Sequence, residues 1–136
     1  MGGGRIVLPA NVTRVMRHDE LLAGPPTPGI QRLTAFEDDE RWIGYSRAEP
    51  GVLSGWHHHG AYDSYFYVLG GTAYIELADG EQIRVRPGDF ALVLAGAVHR
   101  EGTEGDVALE AVVIRIGSGE QVFPVDEPRS GQSAGG

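Results

Sequence analysis

Residues 55–71 read GWHHHGAYDSYFYVLGG: three consecutive histidines, a glycine-containing turn, and an aromatic and aliphatic run closed by two glycines. Residues 64–69 have the aromatic and β-branched content of a strand and lack the 3.6-residue period of a helix. Side chains of a strand alternate between faces, so His57 and His59 project together and His58 projects to the other side. Two imidazoles on one face lie ~7 Å apart along a strand and can turn toward one metal ion if a neighbouring strand adds a third donor. His99, which ends the run FALVLAGAVH at residues 90–99, is the available third donor.

The same count assigns the neighbouring residues. Ser64 faces inward and, being neutral, is expected to hydrogen-bond substrate or water rather than to ligate an ion. Asp63 is aimed at the solvated rim, and His58 is a satisfied or solvated histidine. Tyr65 and Tyr67 belong to the outer side, where a subunit interface would find them. Phe66, Val68, Phe90 and Leu92 are read as lining of a barrel, with Phe66 near enough to the histidines to wall a substrate pocket together with Ser64.

Outward from this stretch, short runs of Val, Ile, Leu, Tyr and Phe recur between Gly, Pro and Asp from residue 41 onward. The expected strands are RWIGYSRAE, GWHHH, SYFYVL, TAYIEL, EQIRVR, FALVLA and ALEAVVIRIG. Asp79-Gly80 reads as a hairpin turn and Pro87-Gly88 as a turn that re-enters a strand. This is the pattern of an all-β antiparallel sandwich or barrel. Ahead of it, TRVMRHDELLA has some helical spacing and GPPTPG breaks any regular element. The expected organisation is an N-terminal arm with a leading strand at residues 1–40, a barrel at 41–124 and a flexible tail at 125–136, where the composition turns polar and Gly/Ser-rich.

Composition narrows the chemistry. No cysteine is present, which excludes disulfides, thiolate metal sites and thiol nucleophiles, so any metal must be held by nitrogen and oxygen donors. Eleven Lys and Arg against nineteen Asp and Glu give a net charge of −8 without a basic stripe, so a nucleic-acid partner is not expected. No apolar run reaches the ~20 residues of a membrane helix, and the N-terminus lacks a secretory pattern, so the cytoplasm is the expected address.

Two motifs carry a family resemblance over residues 51–116. Gly51, His57, His59, position 64 and Gly71 fall at the intervals of the first cupin motif; Gly88, position 94, Gly96, His99 and position 103 fall at those of the second. The chain therefore resembles the cupins, small jelly-roll barrels built as a double-stranded β-helix. It departs from their pattern at three places: Ser64 stands for Glu, Leu94 for Pro and Thr103 for Asn. The resemblance implies that His57, His59 and His99 hold one divalent transition metal, Fe(II) first, with Zn, Ni or Mn as alternatives.

Three neutral imidazoles leave a divalent ion its full charge and three open positions, which suits an enolisable dicarbonyl bound as a chelating enolate with O₂ beside it. The leading expectation is thus a non-haem Fe(II) dioxygenase acting on a small metal-chelating molecule. A Lewis-acid cyclase or isomerase using zinc is the alternative, and a non-catalytic cupin that binds metal or ligand is a third. Tyr45, Glu76 and Glu110 are acid/base candidates by residue type, and strand parity alone does not choose among them; Ser64 is a further candidate for a catalytic role. A barrel with exposed edges and an aromatic outer face is expected to form a homodimer.

Overall fold

The computed structural model describes residues 13–24 and 27–128. The expected leader-free N-terminus, the first part of the arm and the end of the tail lie outside the described residues. A one-turn 3₁₀ helix at His18–Glu20 is all that the helical spacing near the N-terminus produces; Glu20 folds back to accept the Arg17 N–H at 2.8 Å. Among the described residues eleven strands follow: β1 Leu22–Ala23, β2 Ile30–Glu37, β3 Arg41–Ala48, β4 His57–His58, β5 Asp63–Gly70, β6 Thr72–Leu77, β7 Gln82–Val85, β8 Phe90–Val93, β9 His99–Glu104, β10 Leu109–Ile116 and β11 Phe123–Pro124.

They form two antiparallel sheets, one ordered β1-β2-β3-β10-β5-β8 and the other β11-β4-β9-β6-β7. Consecutive strands repeatedly change sheet, which is the jelly-roll pattern. β2 pairs with β3 from Ile30↔Ala48 to Glu37↔Trp42, so the segment expected to lead in from an arm is an integral strand of the larger sheet.

The two sheets bury alternate residues against each other. Phe66 and Val68 of β5, Ala73 and Ile75 of β6, Val85 and Ala111 form the buried core. β8 corrects one expectation. Phe90 lies opposite Tyr67 and Leu92 opposite Tyr65, and residues directly opposed in an antiparallel pair share a face. Phe90 and Leu92 therefore point outward with the two tyrosines, 80% and 51% exposed, and it is Ala91 and Val93 that face the interior. A run of apolar residues with no polar member to mark its faces left that parity open.

The motif glycines act through local geometry. Gly71, between β5 and β6, has φ +74°, and a Cβ there would lie 2.4 Å from the Ala108 carbonyl oxygen, so both conformation and space require glycine. The turn at residues 94–97 forms with Leu94 in place of the motif's Pro: the Ala97 N–H donates to the Leu94 carbonyl at 3.1 Å, and the Asp63 carboxylate accepts from the Ala95 N–H at 2.8 Å. Asp63 thus ties the start of β5 to this turn.

Candidate metal centre

Strand pairing brings the histidines together from two places in the chain. β4 pairs with β9 through His57↔His99, and the two-residue step to His59 keeps that ring on the same side. The three rings lie 4.4 to 5.1 Å apart between centroids, and all three residues are buried. His58 points the other way. Its ring stacks on Phe123 of β11 with centroids 5.0 Å apart and planes at 10°, and its Nδ1 accepts the Gly60 N–H.

A fourth donor completes the group. Glu101 lies two residues beyond His99 on β9, and its Oε1 is 3.4 Å from His99 Nε2 and 3.5 Å from His57 Nε2. One donor atom from each of His57, His59, His99 and Glu101 lies within 4.8 Å of the others. Bonds of about 2.0–2.2 Å to one ion place adjacent ligand atoms roughly 3–3.5 Å apart, so this spacing fits a divalent metal. The three expected histidines stand together, and Glu101 adds an acidic donor that the motif count did not include. A carboxylate is absent from position 64 of β5, and β9 brings one to the same cluster, so the donor set available to an ion includes an anion.

The hydrogen bonds orient the rings for ligation. Each Nδ1 sits against a backbone carbonyl: His57 against Gly55 at 2.8 Å, His59 against Gln121 at 2.8 Å and His99 against Ala97 at 3.0 Å. A carbonyl only accepts, so each Nδ1 carries a proton; an Nε2 that donates to Glu101 carries a second one, and its lone pair becomes available to a metal when that proton leaves.

Charge follows burial. Burial pushes His59 down to about 4, with the neighbouring Arg115 adding to the effect, so this ring is neutral at ordinary pH. For His99, burial lowers the pKa but the Glu101 carboxylate outweighs it, and the net shift is upward. For Glu101, burial raises the pKa and is outweighed by the hydrogen bonds and charge of His57 and His99, which hold the carboxyl well below its usual range.

Beside the donors a cavity of about 70 Å³ opens into the barrel. Ser64, Phe66 and Glu101 line it with Trp42, Val93, Arg32 and Arg115. Ser64 is buried and accepts a hydrogen bond from Arg115 Nε at 3.3 Å, so its partner is a side chain of the barrel.

The other candidates for acid/base work lie elsewhere. Tyr45 is opposite Val112 on the outer side of the larger sheet and donates to Glu110, which shares that face; burial and then the Glu110 hydrogen bond push the tyrosine up to about 12. Glu76 faces outward on β6, where it accepts from Arg100 and Tyr74. All three have the wrong parity for the cavity, because on β3, β10 and β6 the inward residues are the ones adjacent to them.

Sequence reasoning also missed Glu101, Arg32, Arg115 and Gln121. The signal for Glu101 was the same alternation that linked His57 to His59, applied to His99-Arg100-Glu101. The signal for Arg115 was its place in the inward series Leu109, Ala111, Val113. Gln121 follows β10 in a non-strand segment and left no periodic trace.

A family model described as a cupin domain matches residues 44–115. No curated protein sequence matches the chain. Solved structures do resemble it. KdgF from a Halomonas species aligns with a TM-score of 0.65 at 22% identity, covering 77% of this chain and 94% of its own. An uncharacterised protein with a double-stranded β-helix domain from Klebsiella pneumoniae gives 0.68 at 20% identity over 85% and 99%. A predicted oxalate decarboxylase from Thermotoga maritima gives 0.66 at 18% identity over 76% and 99%. At these identities the likeness is one of fold. With both motifs in register, a jelly roll around them and the family match over more than half its length, this chain belongs to the cupin family.

Proposed function

We infer that this cupin is a metal-dependent enzyme acting on a small molecule that chelates the ion through two oxygens, and that its chemistry is proton transfer or rearrangement beside a carbonyl. Glu101 carries the inference. With four protein donors, a six-coordinate ion retains two positions, which a bidentate substrate fills, leaving none for O₂ beside a chelating substrate. When bound, a divalent ion supplies Lewis-acid polarisation of a carbonyl and so acidifies the adjacent C–H.

The remaining roles belong to the protein. Trp42, Phe66 and Val93 give the cavity apolar walls that limit water around the reacting carbon. Glu101 is the one carboxylate among the described residues lining the cavity, so it brings the anionic donor to the edge of the space a substrate would occupy. The carbonyl contacts at the three Nδ1 atoms fix the imidazole faces, so the donors need little reorganisation.

The Fe(II) dioxygenase reading rests on the three-imidazole subset alone. For a chelating substrate it requires the partly exposed Glu101 side chain to leave the cluster and open a third position. The two readings separate in one experiment. Protein loaded in turn with Fe(II), Mn(II), Zn(II) or Ni(II) is given enolisable 2-oxo acids and 1,3-diketones in D₂O, with an oxygen electrode and proton NMR read together. The expected result is metal-dependent exchange or rearrangement at the carbon beside the carbonyl without O₂ uptake. Substrate-dependent O₂ uptake with iron alone would favour the dioxygenase, and tight metal binding with neither signal would favour a non-catalytic binding protein.

A further inference from the structure

Arg115 sits deep in the barrel. It is 7% exposed, lines the cavity beside Glu101, and lies with its guanidinium carbon 5.6 Å from the centre of the Trp42 ring. Its hydrogen-bond partners are neutral: Nε donates to Ser64 Oγ at 3.3 Å and Nη1 to Gln121 Oε1 at 2.9 Å. Among the described residues no carboxylate comes within ion-pair distance of it. A buried guanidinium is costly without a close anion, and burial draws this one down to about 10 even though the charge of Glu101 acts in the opposite direction. Arg32 of β2 brings a second guanidinium to the same cavity, held through Nη1 to Thr27 Oγ1 at 2.7 Å.

Ser64 explains how this charge stays available. Arg115 and Ser64 are direct partners between β10 and β5, and position 64 is where the cupin motif carries glutamate. A carboxylate there would meet the guanidinium within the barrel. With serine at 64 and the acidic donor moved to Glu101 on β9, the positive charge faces the cavity instead.

We propose that Arg115, assisted by Arg32, binds a carboxylate of the substrate, so that the molecule entering the metal centre is a small organic acid whose neighbouring oxygen reaches the ion. The planar fork of arginine suits a carboxylate through paired N–H donors. A cavity of about 70 Å³ holds the acid group and a few carbons, at roughly 10–15 Å³ for each water-sized position. The proposal rests on the metal-dependent reading given above, but the guanidinium site stands on its own residues and is tested separately.

The test is binding. Pyruvate and oxalate, with butane-2,3-dione as the neutral counterpart of pyruvate, are titrated by calorimetry into zinc-loaded and metal-free protein. The same titrations are made with Arg115→Gln, Arg115→Lys and Ser64→Asp after circular dichroism has shown them folded. Wild type is expected to bind the acids at least ~10-fold more tightly than the dione, with Arg115→Gln losing ~10- to 100-fold in acid affinity and none in zinc stoichiometry. Arg115→Lys should recover part of the loss. Ser64→Asp, which supplies an internal anion to the intact arginine, should lose acid binding to a similar extent. Should Arg115→Gln not fold, Ser64→Asp alone decides the matter. Zinc-loaded Ser64→Asp or Arg115→Gln binding the acids as wild type does would overturn the proposal. Failure of wild type to bind zinc would instead count against the metal-dependent reading, leaving the metal-free titrations to test the arginine.

Discussion

Replacing Glu101 by Gln keeps the size of the side chain and removes only its charge. In the metal-free protein Oε1 lies 3.4 and 3.5 Å from two imidazole nitrogens, longer than the ~2.7–2.9 Å of a strong charge-assisted bond. The two contacts together are therefore worth about 1–2 kcal/mol, at the low end for hydrogen bonds to charged groups. Loss of the anionic ligand weighs more on metal affinity. Removing even an outer hydrogen-bond partner of a ligand costs ~10- to 100-fold, so removal of the ligand itself should cost ~100-fold or more, about 3 kcal/mol.

A second signature follows from protons. The Glu101 carboxylate raises the His99 pKa, and that proton must leave before the ring can bind metal. In Glu101→Gln the His99 pKa drops, so proton competition should set in at lower pH even though binding is weaker throughout. Zinc titrations against a competing chelator from pH 5.5 to 8 read both effects. Unchanged affinity with an unchanged pH profile would refute the placement of Glu101 among the donors.

Three further outcomes are expected. In metal-free protein, burial depresses His59 from 6.5 to about 4; the folded state then binds fewer protons, and this contribution is full above pH 6.5 and lost as pH falls. About 2 kcal/mol should disappear between pH 6.5 and 4.5, before the depressed carboxylates titrate, while the opposite contribution of His99 is lost mainly above 6.5. Urea melts of wild type and His59→Asn should differ in this window, and identical slopes would contradict it. His58→Ala should cost about 1 kcal/mol through the lost stack on Phe123 and leave metal stoichiometry unchanged; loss of metal would mean that the parity through residues 57–59 is wrong. The outer face around Tyr65, Tyr67, Phe90 and Ile116, with its apolar groove of about 350 Å³, is expected to be covered by a second copy, so light scattering at tens of micromolar should show a dimer that Phe90→Asp dissociates. A monomeric wild type would refute that.

How far each feature could be read in advance depended on whether a polar residue marked the face of its strand. Between residues 55 and 71 counting by twos pairs His57 of β4 with His59, and Ser64 with Phe66 and Val68 on β5, while the turn between the strands changes the parity and only the motif spacing joins the two sets. In β8 the run Phe90-Ala91-Leu92-Val93 is apolar throughout, and only pairing with β5 shows that the larger residues are outside. β9 went unrecognised because His-Arg-Glu-Gly-Thr-Glu has no hydrophobic alternation; its inward face is made of the polar residues His99, Glu101 and Thr103. The same cause hid Arg115, since a charged residue at an inward position breaks the pattern that identifies a core strand. β4 shrank from the five residues of GWHHH to His57–His58 because it is held only between β9 and β11, and the latter returns from a segment whose pairing no local pattern announces.

Anomalous diffraction from crystals grown with one equivalent of Zn(II), recorded on both sides of the zinc absorption edge, tests the metal centre most directly. The expected map has one strong peak per chain within about 2.0–2.2 Å of Nε2 of His57, His59 and His99 and of a carboxylate oxygen of Glu101. A peak bound elsewhere, or bound by the three imidazoles with Glu101 turned away, would contradict the four-donor centre and return the two-position argument to three.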